Sequence, residues 1–191
     1  MTETSLARVS VATAAGVGLL GSVLLANWLT EKYGFIAIGL GLSTTAGTLA
    51  AGAALALRDA LQDTAGKAAA MGAVAIGAAL SFVVASPALA VASAVAFAVA
   101  ELADLLVYTP IRSRARFGSS PWAVAVMLSG VIGAVVDTAL FLGIAFGWAA
   151  VMPAMLGQLV GKTGASLLFV IAGKGVSGVV SDSSDRQSAR A

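Results

Sequence analysis

Two carboxylates lie three residues apart in a stretch that is otherwise apolar. Glu101 and Asp104 occur in the segment AVAELADLLVY, and no charged residue separates Lys67 from Glu101. Together with Tyr108, they recur at the spacing of one helix face, which Phe97 extends. Carboxylates placed there can accept hydrogen bonds from N–H donors of a ligand, and the aromatic side chains can stack on a flat molecule.

Polar residues at helical spacing also occur later in the chain. Gln158, Lys162 and Ser166 share one face, and Asp137 shares another with Phe141. Thr45 belongs to the cluster Ser43–Thr45 near the middle of an earlier apolar segment. A charged side chain at the centre of a bilayer costs about 2.5–3.5 kcal/mol or more, so these groups must face a protein interior, a partner or water. They indicate a binding site, although Lys162 paired with one acid could also be a purely structural bridge.

Several chemistries are excluded by residue type. The chain has neither Cys nor His, which removes disulfides, thiolate nucleophiles, Ser–His proteases and His-ligated zinc sites. The segment GKTGAS lacks the upstream glycine spacing of a phosphate-binding loop. An aspartyl-type intramembrane protease would need flanking residues that are missing here. We therefore expect no enzyme, no cofactor and no metal.

The composition defines the surroundings of these residues. Hydrophobic residues make up 59% of the 191 residues and charged residues only 10%, with a mean hydropathy of +0.98. Soluble domains carry about 25% charged residues. A surface that faces lipid explains the difference, so the sequence predicts an integral membrane protein. We expect one domain over residues 1–180 and a polar, disordered tail over 181–191.

Six apolar segments are long enough to cross a hydrocarbon core of about 30 Å. They predict an all-α protein with six transmembrane helices and a tight turn at Ser86–Pro87, because Pro cannot easily continue a helix. Two groups of three helices would suit an inverted repeat. The predicted spans are Arg8–Trp28, Phe35–Leu57, Gly66–Ser86, Pro87–Tyr108, Trp122–Phe146 and Ala149–Gly173.

The basic residues predict the orientation. With the N-terminus inside, nine of the 11 Lys and Arg residues lie in inner segments, one (Lys32) lies outside, and Lys162 lies within a span. This asymmetry places both termini in the cytoplasm of a multi-pass protein of the plasma (inner) membrane. The run IRSRARFG is accordingly interpreted as an anchor at the inner face rather than a nucleic-acid site.

Small residues at four-residue spacing indicate close helix packing. On the fourth span they are Ala88, Ala92, Ala96 and Ala100, and the second span carries Gly39, Ser43, Gly47 and Ala51. Small side chains let helices approach closely in lipid. The faces are expected to be packing seams within the bundle, and homo-oligomer formation through one of them is left open.

Five motifs in order resemble a known family. They are ANWLTEKYG from Ala26, AGTLAAGAALALRDALQDTAGKAA from Ala46, AELADLLVYTPIRSR from Ala100, VVDTALFLGIAF from Val135, and a last helix with Gln158 and Lys162. Over about Leu24 to Ala172 they are similar to the vitamin uptake transporter family, also described as queuosine-precursor transporters. The family's acid-and-glycine pattern after the second helix is altered here, since Gln62-Asp63 stands where a Glu is familiar.

The resemblance implies import of 7-deazaguanine bases, such as 7-cyano- or 7-aminomethyl-7-deazaguanine, across the inner membrane. A nucleobase-like substrate offers adjacent N–H donors for a carboxylate, a carbonyl for Lys or Gln, and a flat face for stacking. The driving force stays open. The residues expected to bind substrate are Glu101, Asp104, Lys162, Gln158, Asp137, Asn27, Asp59, Thr45, Phe97, Tyr108 and Phe141.

Two other functions fit the same pattern. One is the substrate-binding subunit of an energy-coupling-factor vitamin importer, which would require a separate ATPase because no phosphate loop is present. The other is a membrane assembly protein that transports nothing, which the small-residue faces alone would explain.

Overall fold

The chain folds into a helical bundle with one β-hairpin. The computed structural model describes residues 3–112, 115–116, 118–164, 167–168 and 171. The described elements are α1 (Glu3–Tyr33), β1 (Phe35–Gly39), β2 (Leu42–Thr45), α2 (Thr48–Ala65), α3 (Lys67–Val84), α4 (Pro87–Arg112), α5 (Ser120–Phe146), a 3-10 turn (Trp148–Ala150) and α6 (residues 151–164).

Four of these helices are long and apolar enough to cross a membrane. The qualifying segments are Val9–Tyr33 in α1, Lys67–Val84 in α3, Pro87–Ile111 in α4 and Ser120–Phe146 in α5. Of the six predicted spans, these four helices are therefore candidates to cross the membrane by length and composition. The predicted sixth span, Ala149–Gly173, begins in the 3-10 turn and α6, and its end lies outside the described residues, as does the polar tail.

The predicted second span, Phe35–Leu57, is wrong as a continuous helix. Its first part is an antiparallel hairpin in which Phe35 pairs with Thr45 and Ile36 with Thr44. The apolar, partly β-branched FIAIG strand favours extended backbone. Gly39 and Gly41, with φ of 88° and 73°, allow the chain to reverse around Leu40. Gly39 and Ser43 therefore do not share a helix face with Ala51.

The helix that follows the hairpin is short and mostly buried. α2 has 18 residues and carries Arg58, Asp59 and Asp63, so it does not qualify as an apolar span. It begins at a close contact with α1, because a Cβ on Gly47 would overlap the carbonyl oxygen of Ala26. The arrangement brings the start of α2 beside the last turns of α1.

The turn between α3 and α4 is where the sequence places it. α3 ends at Val84 and α4 begins at Pro87. The Glu31 carboxylate, near the end of α1, accepts hydrogen bonds from the Ser86 backbone N–H at 2.9 Å and the Ser86 hydroxyl at 2.8 Å. These bonds tie the end of α1 to the α3–α4 turn.

Small residues form seams between the helices, and the face predicted for α4 is buried except at its start. Ala92, Ala96 and Ala100 are completely buried, whereas Ala88 is exposed. α4 packs extensively against α5, and α1 packs against α2 and α3 around a core that includes Leu19, Val23 and Leu61. The hairpin meets α6 closely, since a Cβ on Gly157 would overlap the carbonyl oxygen of Ser43.

Arg58 was counted among the basic residues that predict the membrane orientation, but its position does not support that use. Its side chain is 1% exposed and forms ion pairs inside the bundle, so it does not lie in an inner loop. Eight inner bases still oppose Lys32, and the N-in orientation stays a prediction. The inverted repeat also stays a prediction, although no described residue after α3 forms a counterpart of the hairpin.

Candidate functional site

A cleft opens between α1, α2, α4, α5 and α6 beside the end of β2. Its cavity has a volume of about 40 Å³, and about 440 Å³ of space lies between the walls when the part open to the surroundings is counted. Most of its wall is apolar, and a few polar groups converge on it, as is usual for a small-molecule site. The lining residues are Val23, Ala26, Asn27, Thr30, Thr45, Gly47, Ala51, Ala54, Ser93, Phe97, Asp137, Phe141, Gln158 and Lys162.

A buried ion pair forms the charged part of the wall. Lys162 Nζ of α6 donates to Asp137 Oδ2 of α5 at 2.6 Å and to Thr138 Oγ1 at 2.9 Å. Lys162 is only 1% exposed and Asp137 only 7%. A lone buried charge would be strongly unfavourable, so each side chain compensates the other. The sequence left three acids open as partners of Lys162, and the structure pairs it with Asp137.

The hairpin contributes a polar side chain to the same cleft. Thr45, the last residue of β2, accepts a hydrogen bond from Gln158 Nε2 of α6 at 3.4 Å. The Thr45 and Thr48 hydroxyls lie 3.0 Å apart, and Thr48 Oγ1 donates to the Thr45 carbonyl at 2.7 Å. The hydroxyls near Thr45 thus stabilise the junction of hairpin and α2, rather than bonding within a helix.

Asn27 of α1 is held by contacts between its amide nitrogen and three acceptors. The two N–H groups of Nδ2 are shared among the Val23 carbonyl at 3.0 Å, Ser81 Oγ of α3 at 3.1 Å and Ser93 Oγ of α4 at 3.1 Å. Asn27 is 3% exposed and lines the cleft. An amide fixed in this way cannot rotate freely, so the position of its oxygen is defined as well.

Two aromatic side chains belong to the same wall as the polar groups. Phe97 of α4 and Phe141 of α5 both line the cleft. Phe141 meets Phe146 edge to face at 6.0 Å between ring centroids, and Phe146 meets Phe35 of the hairpin at 4.8 Å. A chain of aromatic contacts therefore links the cleft wall to the hairpin.

Two predicted site residues form a separate buried cluster. Arg58 Nε donates to Glu101 Oε2, and Arg58 Nη1 donates to Asp59 Oδ1 at 2.5 Å. All three side chains are buried, and none of them lines the cleft. The structure therefore places Glu101 and Asp59 against Arg58, because the guanidinium is the cation that offsets their burial.

Tyr108 also lies outside the cleft. Its hydroxyl donates to Asp63 Oδ1 at 3.0 Å, and Trp122 Nε1 donates to Asp63 Oδ2 at 3.2 Å. This contact joins the end of α2 to α4 and α5. The side chains of Asp104 and Ser166 lie outside the described residues.

Four polar residues near the cleft were missed by the sequence reasoning. Ser93 lies one turn before Phe97 on the face that carries Glu101, so the helix period could have found it. Thr30 follows Asn27 by three residues, and Thr138 follows Asp137 directly. Ser81 gave no signal of its own, because it resembles any other small residue of the α3 packing face.

Long apolar helices around a cleft with convergent polar groups fit a multi-pass membrane protein that handles a small molecule. Residues 81–173 match the model of a family described as "Putative vitamin uptake transporter". The match includes the last three of the five family motifs and confirms the resemblance for that part of the chain. No curated protein and no solved structure matches the chain.

Proposed function

We propose that this protein imports 7-deazaguanine bases, precursors of queuosine, across the plasma (inner) membrane. The observation that carries the proposal is the cleft itself, whose wall combines the Lys162–Asp137 pair, Gln158 and Asn27 with Phe97 and Phe141. The similarity of residues 81–173 to a transporter family supports transport as the activity. The base class rests on the chemistry of the cleft and on the sequence resemblance.

The cleft offers what a deazaguanine needs. Its ring N–H is a donor, and Asp137 is the carboxylate on the wall that can accept from it, while the exocyclic amine offers further N–H donors to the wall. Its carbonyl oxygen is an acceptor that the Lys162 ammonium or the Gln158 amide can reach. Its flat ring can lie against Phe97 or Phe141. In this proposal, Asp137 is the carboxylate that accepts from an N–H donor of the base, a role that the sequence analysis gave to Glu101 and Asp104.

The binding groups come from both halves of the chain. Asn27 belongs to α1 and Thr45 to the hairpin, whereas Asp137 and Lys162 belong to α5 and α6. A site between two parts of a bundle is suited to transport, because a relative movement of the parts can expose it to either side of the membrane in turn.

Uptake by cells that cannot synthesise queuosine precursors tests the proposal. Cells that produce this protein should accumulate labelled 7-cyano-7-deazaguanine, and cells with an empty vector should not. Excess unlabelled 7-aminomethyl-7-deazaguanine should compete, whereas excess riboflavin should not. Equal uptake in both strains at normal membrane abundance of the protein would refute the proposal.

The energy-coupling-factor alternative makes a different prediction in the same assay. A substrate-binding subunit would accumulate the base only when its ATPase is present, and it would co-purify with that ATPase. A transporter that acts alone takes up the base in a host without such an ATPase. A pure assembly protein would give no uptake in either host.

A further inference from the structure

The Asn27 amide has a defined orientation. The Val23 carbonyl can only accept a hydrogen bond, so the Asn27 atom at 3.0 Å from it must be the nitrogen. Ser81 agrees, because its hydroxyl hydrogen is donated to the Gly77 carbonyl at 2.9 Å and its oxygen is left to accept from Asn27. Rotating the amide by half a turn would bring two carbonyl oxygens together. The surroundings therefore distinguish nitrogen from oxygen at this position.

The amide oxygen is the part of Asn27 that is left for the cleft. Nδ2 is directed at Val23, Ser81 and Ser93, and Oδ1 occupies the opposite edge of the amide. No described residue donates a hydrogen bond to Oδ1, and this atom is not sealed off, although only 3% of the whole residue is exposed. Because Asn27 lines the cleft, its oxygen is open there to a ligand that supplies an N–H.

The acceptor is well placed for recognition. Asn27 lines the cleft together with Phe97 and Asp137, and it is bound to α3 and α4 as well as to its own helix. Since these contacts fix the amide before a ligand arrives, little conformational entropy is lost when the ligand binds. A neutral amide oxygen accepts a weaker hydrogen bond from an amine than a carboxylate would, but it adds no charge to the wall.

We propose that Asn27 Oδ1 is a specificity-determining acceptor for an amino group on the base, and that Ser81 and Ser93 are its positioning residues. This inference rests on the proposed function. It identifies Asn27 as the residue that makes the site prefer bases with an exocyclic amine over bases without one. Neither serine needs to touch the substrate, since each acts through the amide nitrogen.

The test compares two ligands that differ by one amine. Purified protein in nanodiscs is titrated with 7-deazaguanine and with 7-deazahypoxanthine, which lacks the exocyclic amine. We expect the wild type to bind the first about tenfold or more tightly, the scale of one buried hydrogen bond. In Asn27→Ala this preference should shrink to within about twofold, through weaker binding of 7-deazaguanine. An unchanged preference in Asn27→Ala would overturn the inference.

Further variants separate recognition from folding. Ser81→Ala with Ser93→Ala should reduce the preference by several fold while Asn27 is intact, because the amide is no longer fixed. Thr13→Ala removes a hydroxyl that bonds only to its own helix, at Val9, and it should leave the preference unchanged.

If Asn27→Ala does not fold, the serine variants test the inference instead. A wild-type preference for the amine in the serine variants would contradict the positioning role. If the wild type binds neither base, the proposed function fails together with the inference. Binding without an amine preference refutes the inference alone.

Discussion

Every buried ionisable side chain in the described part of the bundle has a chemical reason for its position. Lys162 lies against Asp137 and Thr138, and Arg58 lies against Asp59 and Glu101. The sequence could predict that these groups face the interior, because lipid would penalise them. The sequence could not predict which of these side chains form ion pairs. Helical spacing shows which residues share a face of one helix, but it does not show which other helix packs against that face.

The Lys162–Asp137 pair gives a prediction at this scale. Lys162→Met alone should lower the amount of folded protein, because Asp137 is left as an uncompensated buried charge, at a cost of about 3–5 kcal/mol. Lys162→Met with Asp137→Leu should restore the folded amount, since an apolar pair can replace a buried ion pair. Uptake should stay absent in the double variant, because the proposed function assigns both groups to substrate binding.

Membrane abundance and uptake of labelled base measure the two effects separately. Lys32→Met is the matched control, since it makes the same chemical change at an exposed position outside the cleft. It should behave like the wild type. Normal uptake by the double variant at normal abundance would show that the pair is only structural, and binding would then depend on Asn27 and Gln158.

Among the secondary-structure elements, the β-hairpin is the one that the hydrophobic pattern of the sequence predicted wrongly. The hairpin was predicted as helix because it begins the apolar run Phe35–Leu57, which is long enough to cross a membrane. Two glycines around Leu40 allow a reversal, and Thr45 gains its partner Gln158 only from α6. Local sequence cannot contain a contact made more than a hundred residues away, so the hairpin required the tertiary structure. The turn at Ser86–Pro87 was predictable because proline acts locally.

The contact between hairpin and α6 gives a prediction for this scale. Gly157→Ala should destabilise the protein by about 1–3 kcal/mol, since the added methyl group overlaps the Ser43 carbonyl and must displace α6. Uptake should fall as well, because Gln158 moves with the helix. Gly72→Ala in α3 is the matched control, since nothing lies within 4 Å of its added Cβ. Thermal unfolding in detergent should show Gly72→Ala at or slightly above wild type, and equal midpoints for both variants would contradict the close contact.

The whole molecule has an orientation that the sequence predicts through its basic residues. Because the chain lacks cysteine, single cysteines report their positions without background. Leu40→Cys at the fully exposed hairpin tip should react with a membrane-impermeant maleimide on intact cells. Ser120→Cys, at the start of α5, should react only after the membrane is opened. The reverse pattern would invert the bundle and would place the hairpin in the cytoplasm.

The cleft could be predicted from the sequence only in part. The sequence reasoning named Asn27, Thr45, Phe97, Asp137, Phe141, Gln158 and Lys162, and the structure places all of them on the cleft wall. Glu101 and Asp59 were expected there as acids within apolar segments, and Tyr108 as an aromatic side chain that could stack on the substrate. They lie in other clusters because Glu101 pairs with Arg58 and Tyr108 bonds to Asp63. The spacing of residues along a single helix does not reveal such contacts with another helix.

The central claim is that one chain carries the base through this cleft, and modification of a single cleft position tests it most directly. Ala51→Cys places a thiol on the cleft wall, whereas Val83→Cys places one at a position that is 81% exposed. Each purified variant is reconstituted alone into liposomes, and entry of labelled 7-cyano-7-deazaguanine is measured before and after treatment with a small methanethiosulfonate. We predict that modification stops entry through Ala51→Cys, that excess base slows this modification, and that Val83→Cys is unaffected. Unchanged entry through fully modified Ala51→Cys, or no entry through either untreated variant, would contradict the account.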